Sequence, residues 1–228
     1  MKGLIELLSI IACPSCRTTL DIVNSTMYCS RCGSEYPIIN GIPVLMDQES
    51  LHELKPTCLC PKSPPITFGE GGLRTSNSKI INRLAPPEPA RFYGSLEWQG
   101  IKNYHIRVKE FLESFPSTSI VVDIGSGGRQ LPGSVVNLDI DALPHVALVG
   151  DAHKLPFLND SLDGVVIQQV LEHVPDPFRV VLDVYRVLKP GGRVYCDSPF
   201  MYPVHGKSYY SDYYRFTKNG LAGCRRTP

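Results

Sequence analysis

Four cysteines stand in two close pairs, Cys13-Pro14-Ser15-Cys16 and Cys29-Ser30-Arg31-Cys32, with twelve residues between the pairs. That spacing can bring four thiolates round one ion, the arrangement of a tetrahedral structural Zn²⁺ site. With sulfur at every position the metal has no open coordination site, so its role is to hold the chain. A disulfide reading needs an oxidising compartment, to which nothing else in the sequence points. A segment of about fifty residues buries too little core to fold well without such a staple.

A second group of reactive side chains is acidic, and each acid closes or follows a short apolar run. Val121-Val122-Asp123-Ile124 breaks into Gly125-Ser126-Gly127-Gly128, and Val135-Val136-Asn137-Leu138 ends in Asp139. Val146-Ala147-Leu148-Val149-Gly150 ends in Asp151-Ala152, and Gly192-Arg193-Val194-Tyr195-Cys196 ends in Asp197. Glycines after a buried strand let the backbone approach a ligand, and a carboxylate at the end of the next strand accepts hydrogen bonds from ribose hydroxyls. Ordinary capping of strand ends is the competing use of Asp139 and Asp151. A third group, His205 and Glu172-His173, offers imidazoles that titrate near neutrality and so could move a proton. For His205 the competing use is packing of a polar aromatic loop in which Asp212 and Arg215 pair.

The elements that position these groups alternate. The apolar runs 121–124, 135–139, 146–152, 163–169 and 192–197 read as five strands, with a helical pattern from Pro177 to Leu188 before the last. Strands alternating with helix imply an α/β fold with a doubly wound, mostly parallel sheet. Apolar positions Ile101, Tyr104, Val108, Phe111, Leu112 and Phe115 recur at helical spacing, so a helix is expected from Trp98 to Phe115. Only Arg129 to Ser134 separates the first glycine loop from the second strand, too few residues for a regular helix. Near the cysteines, Tyr36 to Leu45 reads as a hairpin turning at Asn40-Gly41, with Pro37 and Pro43 where an edge strand tolerates them.

The sequence from about 118 to 221 resembles the class I S-adenosylmethionine-dependent methyltransferases, specifically the type 11 group. The matching residues are Asp123-Ile124-Gly125-Ser126-Gly127, Asp139, Gly150-Asp151-Ala152-His153-Lys154-Leu155-Pro156-Phe157, Leu171-Glu172-His173-Val174-Pro175-Asp176-Pro177 and Tyr185-Arg186-Val187-Leu188-Lys189-Pro190-Gly191-Gly192. The fold implied is Rossmann-like. The resemblance places Gly125 and Gly127 at the methionine part of the cofactor, Asp139 at the ribose and Asp151-Ala152 beside the adenine. It adds Asp123, Ser126, Ile140, Gln168 and Gln169 to the cofactor contacts, and His205 and His173 as candidate catalytic residues. Tyr36-Pro37-Ile38-Ile39-Asn40-Gly41-Ile42-Pro43-Val44-Leu45 with the four cysteines resembles the Trm112-like zinc ribbons, which activate methyltransferases or precede them in one chain. The resemblance implies a small zinc-ribbon β domain at 1–47, a linker at 48–95 and a methyltransferase domain at 96–228. That family usually adds a helix and two strands after its fifth strand, so the last domain reads as C-terminally truncated, completed by a partner or inactive.

Composition bounds the alternatives. The net charge is +1, from 23 Lys plus Arg against 22 Asp plus Glu, which offers no global field for nucleic acid. No apolar run approaches the ~18 residues of a membrane span. Leu4 to Cys13 mimics a lipoprotein signal, but Glu6 interrupts the apolar stretch and Cys13 belongs to a metal pair, so a cytoplasmic chain is expected. Residues 48–92 have the Pro and Gly content of a linker with a short helix around Asn77 to Leu84. Within it Cys58 and Cys60 read as incidental thiols, and no internal repeat is present. The expected activity is methyl transfer from S-adenosylmethionine to a small-molecule or lipid-like acceptor. The alternatives are a ribosomal or transfer RNA methyltransferase, and a non-catalytic zinc-ribbon activator that binds a protein partner through the ribbon or an exposed sheet edge.

Overall fold

A computed structural model describes residues 7–47, 50, 107–206 and 211–223. The chain divides into two compact units, one made of Met1–Leu59 with Phe115–Pro228 and the other of Cys60–Ser114. In the second unit the described residues include a helical stretch at 107–113, which overlaps the end of the helix expected from Trp98. The expected short helix around Asn77 and the thiols Cys58 and Cys60 lie outside the described residues.

Among the described residues, the first unit has nine strands in one continuous sheet. They are β1 (Asp21–Val23), β2 (Thr26–Tyr28), β3 (Glu35–Ile39), β4 (Ile42–Leu45), β5 (Val121–Ile124), β6 (Val135–Asp139), β7 (Leu148–Gly150), β8 (Leu162–Gln168) and β9 (Leu188–Asp197). The order across the sheet is β1-β2-β3-β4-β7-β6-β5-β8-β9. Strands β5 to β9 are all parallel, and every residue of β5 is buried, as a strand covered on both faces requires. The chain runs outward from β5 to β6 and β7 on one side and to β8 and β9 on the other. The sheet thus has a switch point between β5 and β8, outside whose carboxyl ends ligands bind in open α/β sheets. No helix connects β5 to β6, in keeping with the short spacing there.

The cysteine-bearing segment is an antiparallel meander, β1 to β4, and it does not stand apart. Strand β4 pairs in parallel with β7, Val44 opposite Val149 and Leu45 opposite Gly150, so the meander extends the parallel sheet and covers the edge of β7. Asn40 and Gly41 turn the β3–β4 hairpin with φ of 52° and 79°, as a tight two-residue hairpin demands. The structure corrects the reading of β3 and β4 as edge strands that tolerate Pro37 and Pro43. Both are interior: Pro37 sits opposite Thr26 in the β2–β3 register and Pro43 opposite Ile38 in the β3–β4 register, and each fits because the ladder on its other side stops short of it. The β3–β4 register covers only Ile38 and Ile39 opposite Pro43 and Ile42, while the β4–β7 register begins at Val44. By the alternation of hydrogen-bonding sides, the donor each proline lacks would face unpaired space.

Helix α1 (Pro177–Val187) links β8 to β9. Asp176 caps it by accepting from Arg179 N at 3.0 Å, and Pro177 occupies the first turn, where its missing N–H costs nothing. Val180, Val184 and Val187 bury one stripe in a core that also holds Ile11, Met27, Tyr36 and Leu45 from the meander, with Ile124, Leu138 and Ile167 from the parallel strands. A final short helix, α2 (Lys218–Gly223), follows the strands. No helix among the described residues is long and apolar enough to cross a membrane.

One buried carboxylate ties these parts. Asp183 on α1, 4 % exposed, accepts from Arg186 Nε at 2.7 Å, from Leu155 N at 2.6 Å and from Arg17 Nη2 at 3.1 Å. Arg186 in turn donates to the carbonyls of Leu155 at 2.9 Å and Phe157 at 2.7 Å, which fixes the Leu155-Pro156-Phe157 turn. That turn docks the meander through Ala12 N to Pro156 O and Leu158 N to Ile10 O, both 2.9 Å. Removing one partner of a buried ionic network strands the other charges, at a cost of about 3–5 kcal/mol. Asp183→Ala should therefore lower the free energy of unfolding by about that much in chemical denaturation. Arg17→Ala, at the half-exposed end of the network, should lower it by less than about 1 kcal/mol.

Candidate functional site

The four cysteine sulfurs come together. Cys13, Cys16, Cys29 and Cys32 place their sulfurs within 4.8 Å of one another, with 3.6 Å between Cys13 and Cys32 and 3.3 Å between Cys16 and Cys29. A tetrahedral Zn²⁺ with bonds of about 2.3 Å sets its sulfurs roughly 3.8 Å apart, so the cluster fits one ion, and none of the four is in a disulfide. Hydroxyls surround it, Tyr36 at 3.1 Å from Cys13 and Thr18 at 3.1 and 3.3 Å from Cys16 and Cys29, as outer partners of metal thiolates do. Burial pushes the Cys13 thiol up to about 11, whereas at Cys29 the hydrogen bonds led by Thr18 outweigh burial and bring it down to about 6.

The second site lies at the carboxyl ends of the parallel strands. Leaving β5, the chain turns at Gly125 and Gly127 with φ of 65° and 58°, and the N–H groups of Gly125 and Ser126 donate to Leu138 O at 2.9 and 3.1 Å. Asp139, at the end of β6, accepts from Gly127 N at 2.7 Å and Asp141 N at 3.0 Å. Burial raises its carboxyl and these backbone donors oppose the rise. Asp123 is fully buried and held by a bidentate contact from Arg129, at 3.1 to 3.2 Å. Burial pushes it up to about 6 even so. Arg129 had no role in the sequence reading; its position in a helix-less loop six residues past Asp123 is the one signal that could have found it.

Asp151 serves as a cap. It accepts from His153 N and Nδ1, both at 2.8 Å, and from Ser50 Oγ at 2.9 Å, and it opens the short turn Ala152–Lys154. Burial pulls its carboxyl upward, and the His153 contacts more than offset that. Ser126 is buried and Ile140 is 38 % exposed, while Gln169 takes a left-handed φ of 55° just beyond β8.

At the ends of β8 and β9 the sequence candidates converge. His173 and His205, 32 residues apart, face each other with Nε2 to Nε2 at 3.1 Å. His205 N donates to Asp212 Oδ2 at 2.7 Å, and Arg215 donates to both oxygens of Asp212, so the expected Asp212–Arg215 pair is present together with the histidine cluster. Arg215 holds the Asp212 carboxyl well below the usual range. Glu172, fully buried, accepts from Ser198 Oγ at 3.0 Å on one oxygen, and burial raises its carboxyl. Asp197, opposite Gln168 in the β8–β9 ladder, is pushed up to about 6 by burial and then by the charge of Glu172.

Six buried side-chain polar atoms among the described residues have no hydrogen-bond partner. They are Asp141 Oδ1, His153 Nε2, both amide atoms of Gln168, Glu172 Oε1 and Asp197 Oδ2. All belong to residues at, or within four positions past, the carboxyl end of β6, β7, β8 or β9. Orphaned buried polar atoms are costly in a folded chain, and their gathering at one end of a sheet marks a place built for a polar ligand. This fits the adenosine hydroxyls, amine and carboxylate of S-adenosylmethionine.

Residues 113–196 match the family model "Methyltransferase domain", and residues 5–41 match "Trm112p-like protein". The chain thus carries one segment similar to each of these two families. It is 27% identical over 169 residues to an uncharacterized 37.1 kDa protein in transposon TN4556 of Streptomyces fradiae, covering 64% of this chain and 49% of that one. It is 40% identical over 76 residues to a demethylmenaquinone methyltransferase of Listeria welshimeri, covering 32% of each. A solved complex of the Haloferax volcanii Trm112 methyltransferase activator with a methyltransferase overlaps it at 25% identity, over 43% of this chain and 54% of that chain, with a TM-score of 0.34. The chain spans about half or less of the length of these curated relatives.

Two outcomes follow from the loop and the acids. A Cβ on Gly125 would lie 2.3 Å from Val170 Cγ2, whose β-branched side chain has little freedom to retreat, whereas Gly127 faces open space. Gly125→Ala should cost upward of about 2 kcal/mol in thermal or chemical unfolding, and Gly127→Ala about 1 kcal/mol from its positive φ alone. Because the Asp197 pKa is raised above its unfolded value, its contribution to stability is full below about pH 4 and is lost as pH rises through about 6. Asp197→Asn should exceed the parent in stability by about 2 kcal/mol at pH 8, with the difference vanishing by about pH 4.

Proposed function

We propose that this chain binds S-adenosylmethionine at the carboxyl ends of β5, β6 and β7 and catalyses transfer of its methyl group to a small-molecule or lipid-like acceptor. The observation that carries this reading is the collection of orphaned buried polar atoms at the ends of β6 to β9, beside the glycine loop after β5 with its positive φ at Gly125 and Gly127. The cofactor supplies a methyl group on an already activated sulfonium. The protein's task is then to position the acceptor in line and to exclude water.

Residues of this chain divide that task. Asp139 is placed for the ribose hydroxyls, since each carboxylate oxygen keeps lone-pair capacity beyond its one backbone donor. Gly125 and Gly127 shape the loop that admits the methionine part, and the Asp151-Ala152 turn offers an edge for the adenine. Sulfonium charge is compatible with the acids Asp123, Asp139, Glu172 and Asp197, where a phosphate-bearing cofactor would be repelled. The acceptor side falls on the loop after β9. Phe200, Met201, Tyr202, Val204, Tyr213 and Tyr214 are all exposed beside His205, which supports an acceptor with apolar surface. His173 and His205 face the acceptor as candidate catalytic residues.

The test is calorimetric titration of the zinc-loaded protein with S-adenosylmethionine. Binding with a Kd on the order of micromolar is expected, weakened at least about tenfold by Asp139→Asn, which keeps the side-chain size but loses the charge that the ribose hydroxyls address. Absence of binding to a folded parent protein would remove the reading.

A further inference from the structure

The histidine pair raises a question of lone pairs. His173 Nδ1 lies 2.8 Å from Ser211 O, and a carbonyl only accepts, so that nitrogen carries the hydrogen. His205 Nδ1 lies 3.2 Å from Pro203 O and 3.3 Å from Asp212 Oδ2, again acceptors, so it too is protonated at Nδ1. In both neutral rings the lone pair is therefore on Nε2, and the two Nε2 atoms face each other at 3.1 Å. Such a contact needs positive charge between the rings.

A shared proton would satisfy the two nitrogens and leave a third group unexplained. Glu172 Oε1 is buried, has no hydrogen-bond partner, and lies 3.8 Å from His173 Nε2. The three donor atoms of Glu172, His173 and His205 all fall within 4.8 Å of one another. An ion bound at about 2.1 Å by ligands 90° to 109° apart separates them by roughly 3.0–3.4 Å, which the two nitrogens meet at 3.1 Å and which Glu172 Oε1, 3.8 Å from His173 Nε2, would reach by a small shift of its side chain. The outer partners are also those of metal-bound imidazoles, a carbonyl on one ring N–H and a carbonyl with a carboxylate on the other.

We propose that Glu172, His173 and His205 form a second metal site, separate from the cysteine cluster, for a first-row divalent cation such as Mn²⁺, Fe²⁺ or Zn²⁺. Two imidazoles and one carboxylate select these ions over Mg²⁺ or Ca²⁺, which favour oxygen throughout. Three protein ligands leave coordination positions open to water or to an acceptor oxygen. The site itself does not depend on the methyl-transfer reading. Its use does: on that reading, an acceptor hydroxyl bound to the ion would pass its proton to water, and its oxygen would form the new C–O bond as the S–CH3 bond breaks, the electron pair leaving on the sulfur of S-adenosylhomocysteine.

The test uses the full chain loaded with one zinc at the cysteines, titrated with Mn²⁺ while the electron paramagnetic resonance of the free aqua ion is followed. Manganese competes poorly for four thiolates, so the signal reports the new site. One Mn²⁺ bound per chain is expected, displaced by a second equivalent of Zn²⁺, and weakened at least tenfold by His205→Ala and by His173→Ala. His205→Ala is the safer variant for the fold, since its ring is only part-buried on a loop, and an unchanged circular dichroism spectrum and zinc content would certify it. If neither Mn²⁺ nor Zn²⁺ binds beyond the cysteine equivalent, or if both variants bind as the parent does, the histidines share a proton and the metal site is refuted. Because S-adenosylmethionine calorimetry needs no added Mn²⁺, the failure of one reading is distinguishable from the failure of the other.

Discussion

The buried carboxylate of Asp183 is the interaction on which the rest of the first unit depends. It lies on α1, yet its partners come from the meander through Arg17, from its own helix through Arg186 and from the Leu155 turn through a backbone N–H. A charge taken that far from water is tolerable only if all its lone pairs are occupied, so each partner is obligatory for the others. The consequence is geometric. The Leu155-Pro156-Phe157 turn is locked, that turn holds Ile10 to Ala12, and the meander is held where β4 can meet β7. Motifs that look like cofactor signatures in the sequence, the Leu155-Pro156-Phe157 turn and Arg186 of the segment before β9, thus act here as the clamp between the cysteine-bearing strands and the parallel sheet.

The glycine loop after β5 has to be held without the helix that such loops usually lead into. Arg129 takes over part of that work by turning back on Asp123, while Asn137 Nδ2 donates to the Arg129 carbonyl at 2.8 Å. The loop is therefore fastened to β5 by an ion pair and to β6 by an amide and by the Leu138 carbonyl. A helix N-terminus would have given the site a partial positive charge. Replacing it with a guanidinium that is already neutralised by Asp123 leaves the site net acidic, a choice that suits a cationic ligand.

Much of the fold was legible because it follows from short-range rules. The five parallel strands announce themselves as apolar runs between turn residues, and Asn40-Gly41 fixes the hairpin by its positive φ. The thiolate cluster follows from cysteine spacing alone. What could not be read is whatever depends on tertiary contact. The parallel pairing of β4 with β7 joins residues more than one hundred positions apart and has no local signature. The same holds for Arg17 on Asp183 and Arg129 on Asp123. His173 and His205 were each legible as reactive residues, but their facing nitrogens required the β9 loop to fold back over the end of β8.

That loop explains why the reactive end of the molecule can hold so many unneutralised groups. Tyr213 N donates to Glu172 O at 2.7 Å and Tyr214 Oη to Pro175 O at 2.8 Å, so the segment after β9 is pinned on the segment after β8. Pinning excludes water from Glu172 and raises the cost of its charge. A carboxylate in that position must be protonated or paired, and its neighbour Asp197, itself displaced upward, cannot serve as partner. Asp212 cannot relieve it either, being neutralised by Arg215. Glu172 and Asp197 thus have no guanidinium or ammonium partner among the described residues, and burial favours their neutral forms. A cation, whether a sulfonium beside the glycine loop or the metal proposed between the histidines, is the species that would let them ionise.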